Sequence, residues 1–487
     1  MTRTSRQTQG PVRPLVFLPT VPSLLALLAL PALLAALAGC TASSAEVAPP
    51  QFAPYYPTGL ALSPDERWLF VVSSNSDLRY DSGTLSVFDL DAVDRLVAKA
   101  RSAPAELPAT CTREALRPET FLCSSVSDDG TPADYVVPGA TVKLGNFAVG
   151  VAVQELNDGR LRAFTTVRGD PSITWADFDP TAGTLACGGD GSFPRCDEAH
   201  RLDELRGDAE TPLALEPFQL ALDGANERLF VTHLTTGRVT LLHAPRDAVR
   251  APILLDDVGA LFRPGGATGG AGAVGIAVQH PGDSSSLVWV TGRHESRLAT
   301  VYVATGPEVV ADVPGEELLD GPSFLYPAFA GLAQDGAPGD ARAIAFLDAT
   351  TPGDRAYLLS RTPPSLLELD TTRSAAGEQQ ARVLATLEVC AQPATLAVAQ
   401  VGGRRLGWLP CFGTGQVQII DLDRMTLLAT TDAGRGPHGV VAAASRKRVF
   451  VSNYAEDTIA VLDAEDGTPT QHRVVLHLGR LRAAGVN

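Results

Sequence analysis

Seven short apolar segments recur along the chain and align without gaps. They are Pro57-Thr58-Gly59-Leu60-Ala61, Ala148-Val149-Gly150-Val151-Ala152, Pro217-Phe218-Gln219-Leu220-Ala221, Ala273-Val274-Gly275-Ile276-Ala277, Ala341-Arg342-Ala343-Ile344-Ala345, Pro393-Ala394-Thr395-Leu396-Ala397 and Pro437-His438-Gly439-Val440-Val441. Each opens a unit that continues as turn, strand, turn and strand. A unit this small cannot bury its own apolar face, so the units must pack on one another.

The second strand of a unit is β-branched and aromatic, as in Trp68-Leu69-Phe70-Val71-Val72, Arg228-Leu229-Phe230-Val231-Thr232 and Arg448-Val449-Phe450-Val451-Ser452. Between it and the first strand lie turn residues such as Ser63-Pro64-Asp65-Glu66 and Asp223-Gly224-Ala225-Asn226. Runs of this composition bounded by such turns are strands rather than helices. A third strand alternates and usually closes on Asp: Asp89, Asp177, Asp370, Asp421 and Asp463, with His243 and Tyr302 in the same slot of units three and four. Fourth strands are fainter, clearest over Ala381–Val389 and Arg473–Leu478. Four antiparallel strands in each of seven units predict an all-β chain, a seven-bladed β-propeller.

The last unit, Gly434-Arg435-Gly436-Pro437-His438-Gly439-Val440 followed by Val449-Phe450-Val451-Ser452-Asn453-Tyr454, resembles the YVTN-type propeller repeat. That family also resembles the seven-bladed lactonase-like propellers. The resemblance covers most of residues 53–487 and is closest in units one and seven. Where the family has Asn, here Asn453, other units carry Ser73, His233, Gly292, Ser360 and Cys411. The resemblance implies a fold more sharply than an activity.

Residues 1–39 read as a leader. Arg3, Arg6 and Arg13 precede an apolar run from Leu15 to Ala38 that ends in Leu37-Ala38-Gly39-Cys40. A basic start, an apolar middle and small residues at the end make a secretory signal. The cysteine after them resembles the lipobox of bacterial lipoproteins, which implies that Cys40 is acylated and becomes the first mature residue. The other reading is an uncleaved membrane anchor, disfavoured by Pro19, Pro22 and Pro31 within the run. Residues 40–52 are a flexible tether and 53–487 a single propeller with insertions near 92–133 and 180–212. Thr41 after the cysteine implies, by resemblance to lipoprotein sorting, delivery to the outer membrane of the cell envelope.

Losing three arginines and no acid takes the net charge from −16 to −19. That argues against a nucleic-acid partner, which would need a basic face. Six cysteines remain besides Cys40, with no Cys-x-x-Cys pair. An even number in an exported chain favours disulfides over metal or redox chemistry. Cys111 with Cys123 and Cys187 with Cys196 each fall inside one insertion, and each such bridge is worth about 2–3 kcal/mol. Cys390 precedes the first strand of unit six and Cys411 ends its second, so antiparallel pairing brings them together.

Antiparallel order puts second-to-third and fourth-to-first connections on one face. That face gathers Tyr55, Tyr56, Asn75, Arg79, Tyr80, His233, Arg293, His294, Arg361, His438, Asn453 and Tyr454. Of these, Tyr56, Asn75, His233, Arg293, His294, Arg361, His438 and Asn453 are the candidates for holding a ligand. Arginine forks and aromatics suit a small anionic or sugar-like molecule. The alternative is that they are ordinary solvated loop residues, as on any propeller. His438 is the sharpest candidate because it sits beside the expected channel.

Other motifs fail. Gly265–Gly272 lacks the Lys-Ser/Thr of a phosphate loop, Asp89, Asp91 and Asp94 do not complete a calcium loop, and no Gly-x-Ser-x-Gly elbow occurs. No catalytic set, cofactor or metal site is assigned. The expectation is a non-enzymatic binding or interaction scaffold, lipid-anchored, whose partner is the membrane and another envelope protein or a small anion. The alternative is a lactonase-like, metal-dependent hydrolase acting at the channel mouth.

Overall fold

The computed structural model describes residues 47–203, 213–259, 261–262, 272–279, 285–293, 297–303, 328–331, 339–350, 354–375 and 379–480. The leader with Cys40, His294, most of Gly265–Gly272 and much of the acidic stretch Asp197–Glu210 lie outside the described residues. The chain is all-β, 51% strand and 5% helix.

The strands follow the sequence units. Unit one contributes Pro57–Leu62, Trp68–Ser73, Thr84–Asp89 and Val136–Lys143; unit seven contributes Pro437–Ala443, Arg448–Asn453, Thr458–Asp463 and Val474–Gly479. Units one and two share a sheet, because Val136–Lys143 meets Thr184–Ala186 in parallel at their outer edges. Units three to six form separate four-stranded antiparallel sheets.

The second strands of units one, three and seven are buried along their whole length, which explains why they read as continuous rather than alternating apolar runs. Alternate residues face opposite neighbours. Leu69 and Val71 pack on Phe450, Ile459 and Val461 of unit seven, whereas Trp68, Phe70 and Val72 pack on Ala163, Ala176 and Phe178 of unit two. The same division recurs around the molecule, with apolar clusters joining unit two to three, three to four, four to five, five to six and six to seven.

The first strands line the axis and touch in succession, Pro437–Ala443 returning to Pro57–Leu62. They approach closely because the third position of the repeat is often glycine. A Cβ on Gly59 would stand 2.3 Å from the Val149 carbonyl oxygen, on Gly150 2.7 Å from that of Phe218, and on Gly439 2.3 Å from that of Thr58. A bulge there frees the backbone N–H of the third residue from the ladder. A hydroxyl from the second strand takes that N–H and donates onward to the next unit. Thr166 Oγ1 accepts from Gly150 and donates to Phe218 O; Thr291 Oγ1 accepts from Gly275 and donates to Ala341 O; Ser452 Oγ accepts from Gly439 and donates to Thr58 O. Gly439→Ala is expected to cost about 1–3 kcal/mol, since its Cβ meets backbone that a side chain cannot vacate. Denaturant titration checks this, and an unchanged midpoint would mean that units one and seven are not tightly apposed.

Two features differ from the sequence reading. In unit six the first strand begins at Ala397 rather than Pro393, with Pro393 and Cys411 forming only an isolated bridge. Pro393 and Pro410 both lack the N–H that a regular ladder needs. The 92–133 insertion is also structured. Asp89 caps a helix over Leu90–Ser102, accepting from the Asp91 and Ala92 amides, and Leu90, Val93 and Val97 form its buried stripe. A hairpin of Cys111–Arg113 and Phe121–Cys123 follows and adds in parallel to Val474–Gly479, extending unit seven outward. The cysteines pair as Cys111–Cys123, Cys187–Cys196 and Cys390–Cys411.

Candidate functional site

A cavity of about 140 Å³ opens on the axis, walled by the second to fourth residues of the first strands. Its two arginines both come from unit five. Arg342, Arg361 and His438 line it, with Thr58, Gln219 and Thr395, and no carboxylate is among the lining residues. Arg342 and His438 occupy the same repeat position in units five and seven, where the other units have Thr58, Val149, Phe218, Val274 and Ala394. Arg361 ends a second strand, Ala356–Arg361, and so reaches the same face.

The three groups sense one another. Burial lowers the affinity of His438 for a proton; the Thr58 carbonyl opposes this, while the charges of Arg361 and Arg342 reinforce it. His438 Nδ1 lies 3.4 Å from the Thr58 carbonyl oxygen, which can only accept, so Nδ1 carries the hydrogen. Burial likewise pulls Arg361 below the ordinary guanidinium value, helped by Arg342 and Arg293 and opposed by Asp340. Arg361 directs Nε and Nη2 to one acceptor, the Pro393 carbonyl oxygen, at 3.3 and 3.1 Å.

An aromatic chain extends from the histidine. Tyr454 lies 6.3 Å from the His438 ring between centroids, Phe412 lies 6.5 Å from it, and Tyr56 packs edge-on to Tyr454 at 5.1 Å. Of the eight candidates, the structure therefore brings Arg361 and His438 to the cavity itself. Tyr56 is joined through Tyr454, and Arg293 through its electrostatic reach to Arg361 and a backbone bridge to Asp340.

Three candidates serve the framework instead. Asn75 is buried, donating to Tyr80 O and Asn146 Oδ1 and accepting from the Tyr80 amide, which ties its own loop. His233 is buried between Leu215 O at 3.3 Å and Thr240 Oγ1 at 2.8 Å. Asn453 donates to Ala433 O and Thr458 Oγ1. The last two occupy the same slot and do the same thing: each ties the segment before its unit to the start of the third strand. His233 does so with one ring nitrogen donating and the other accepting, whereas Asn453 donates to both partners through its amide nitrogen. His294 lies outside the described residues.

Arg342 is the residue that sequence reasoning passed over. It was visible in the aligned repeats as the charge among small and apolar residues at that position. Its placement on a narrowed axis needed the fold.

No protein-family model matches the chain, and no curated protein does. Solved structures do match. A 6-phosphogluconolactonase-like protein from Bacteroides fragilis NCTC 9343 is 12% identical over 86% of this chain and 99% of its own, with a TM-score of 0.48. The Cps50 (Swd1) β-propeller domain from Myceliophteria thermophila is 9% identical over 84% of this chain and 96% of its own, with a TM-score of 0.46. Dihydro-heme d1 dehydrogenase NirN, in complex with DHE, is 14% identical over 74% of this chain, which spans 60% of that protein's length, with a TM-score of 0.41. These structural neighbours are lactonase-like and β-propeller proteins, and at such identities they assign no activity.

Proposed function

We propose that this chain is a lipid-anchored, non-enzymatic β-propeller of seven four-stranded blades with YVTN-type repeats, exported to the bacterial envelope, where it binds a ligand or partner at its channel mouth. The carrying observation is the one-sided cationic wall of the axial cavity, Arg342 and Arg361 beside His438, next to the aromatic side chains of Tyr454, Phe412 and Tyr56. Arginine forks and aromatic faces are binding chemistry. Support for the ring comes from the succession of first strands and from the clusters between consecutive units. Support for the anchor comes from the Leu37–Cys40 sequence and its basic, apolar leader. More than one acyl chain on Cys40 would hold the protein stably at a membrane.

Intact-mass measurement on protein extracted from the membranes of a bacterial host tests the envelope half of the proposal. The expected mass is that of residues 40–487 plus the lipid, and a chain retaining residues 1–39 with Cys40 unmodified would overturn it. Metal analysis tests the other half: stoichiometric metal that disappears in His438→Ala would transfer the reading to the metal-dependent hydrolase.

A further inference from the structure

The axial cavity concentrates positive charge that the described residues balance only in part. Arg342 pairs with Asp340, Nη2 to Oδ2 at 2.7 Å, but its Nε is buried without a hydrogen-bond partner. Arg361 forms no ion pair among the described residues, and its hydrogen bonds go to the single carbonyl of Pro393. Arg293, bridged through its backbone to Asp340, also has a buried Nε without a partner. Asp340 is thus one carboxylate among three guanidinium groups, and its Oδ1 is itself unbonded. Like charges gathered out of bulk water are costly unless a counter-charge joins them.

Geometry and size narrow what that counter-charge is. Two guanidinium groups lining one space suit an oxyanion, which they attract by charge and bind through N–H donors not already spent on Pro393 and Asp340. A water needs roughly 10–15 Å³ of such a cavity, so about 140 Å³ holds several waters or one small oxyanion. It does not hold the body of a drug-sized ligand, whose pockets run from about 300 Å³ upward. The lining residues include no carboxylate to repel an anion, while Thr395 supplies a hydroxyl; that of Thr58 is spent on the Ala148 carbonyl.

We propose that the channel is a binding site for one small oxyanion, held between Arg342 and Arg361 beside His438. The inference deepens the binding reading of the channel mouth and rests on it. The oxyanion is inorganic phosphate or sulfate, or the phosphate of a phosphomonoester whose remaining atoms project through the mouth toward Tyr56 and Tyr454.

Calorimetric titration of the folded chain with inorganic phosphate, sulfate and glycerol phosphate, at ionic strength matched with chloride, tests this. Saturable binding of one equivalent is expected. Losing a charge-assisted hydrogen bond should weaken it roughly tenfold or more in Arg361→Gln and in Arg342→Gln, and less in Arg361→Lys, which keeps the charge but not the fork. Uptake of glycerol phosphate as well as phosphate supports the proposal with an open mouth; uptake of the inorganic ions alone supports it with an enclosed one. If Arg342→Gln fails to fold because Asp340 loses its partner, the double variant Arg342→Gln, Asp340→Asn removes both charges together. Absence of saturable binding to all three anions overturns the proposal, and so does binding that neither arginine variant weakens. Either result leaves the lipid on Cys40 and the scaffold reading to their own measurement.

Discussion

Replacing Arg162 with alanine is expected to destabilise the chain by about 3–5 kcal/mol, the usual cost of stripping one partner from a buried ion pair. Arg162 has no exposed side-chain surface and forks onto both oxygens of Asp177, at 2.7 and 2.9 Å. The two residues are direct cross-strand partners in unit two. Its remaining donors reach the Arg250 and Ala248 carbonyl oxygens in unit three at 2.9 and 3.4 Å, and its guanidinium lies 4.4 Å from the centre of the Trp175 ring. One side chain therefore closes a strand pair and fastens a neighbouring loop. Chemical denaturation checks the figure, and the pair Arg162→Leu, Asp177→Leu should recover much of the loss because no buried charge is then orphaned. A loss under about 1 kcal/mol would place the pair among exposed ones in energy.

Acid should weaken the fold through His233. Burial holds its proton affinity down to about 4, against 6.5 for an exposed imidazole, and the Leu215 and Ala214 backbone only partly opposes this. The neutral ring suits its site: Nδ1–H donates to the Leu215 carbonyl, and Nε2 accepts from the Thr240 hydroxyl. In the unfolded chain the imidazole takes a proton as pH falls below 6.5; in the folded chain it does not until about 4. Stability is therefore complete above 6.5 and declines across that interval, by about 3 kcal/mol at its lower end. Unfolding free energies measured from pH 7 to 4 should fall more steeply for the parent chain than for His233→Asn, which copies Asn453 of unit seven. Parallel pH profiles would refute the assignment.

The repeat was legible because its signals are local. Short β-branched runs, turn residues and an Asp closing the third strand need no tertiary information, and the same Asp positions turn out to be hubs. Asp177 takes Arg162, Asp463 takes Arg448 and two threonines, and Asp421 takes Arg404 and Arg424. The disulfide partners were legible for the same reason, since two pairs each lie within one insertion and the third joins the connection before the first strand of unit six to the end of its second strand. The Leu90–Ser102 helix left a signal that strand-centred reading missed: an Asp cap, apolar residues at three- and four-residue spacing, and Lys99 with Arg101 in the last turn. Nothing local marks the pairing of Phe121–Cys123 with a strand more than 350 residues away. The cavity was half legible. His438 and Arg361 stood at strand ends on the right face, whereas Asn75, His233 and Asn453 carried equally polar side chains that the framework consumes.

The contact between units one and seven has a mechanical meaning. At the axis, Gly439 abuts Thr58 and Ser452 bonds to its carbonyl oxygen. Lower down, Glu66 receives the Ala444 and Ser445 amides, and Arg446 grips Asp91 and Asp94 at 2.7 and 2.6 Å. At the rim, the disulfide-stapled hairpin holds Val474–Gly479. These attachments sit at different radii of one joint, so a tug on the strand of either unit loads them side by side rather than one after another. Such a joint resists until it shears as a whole.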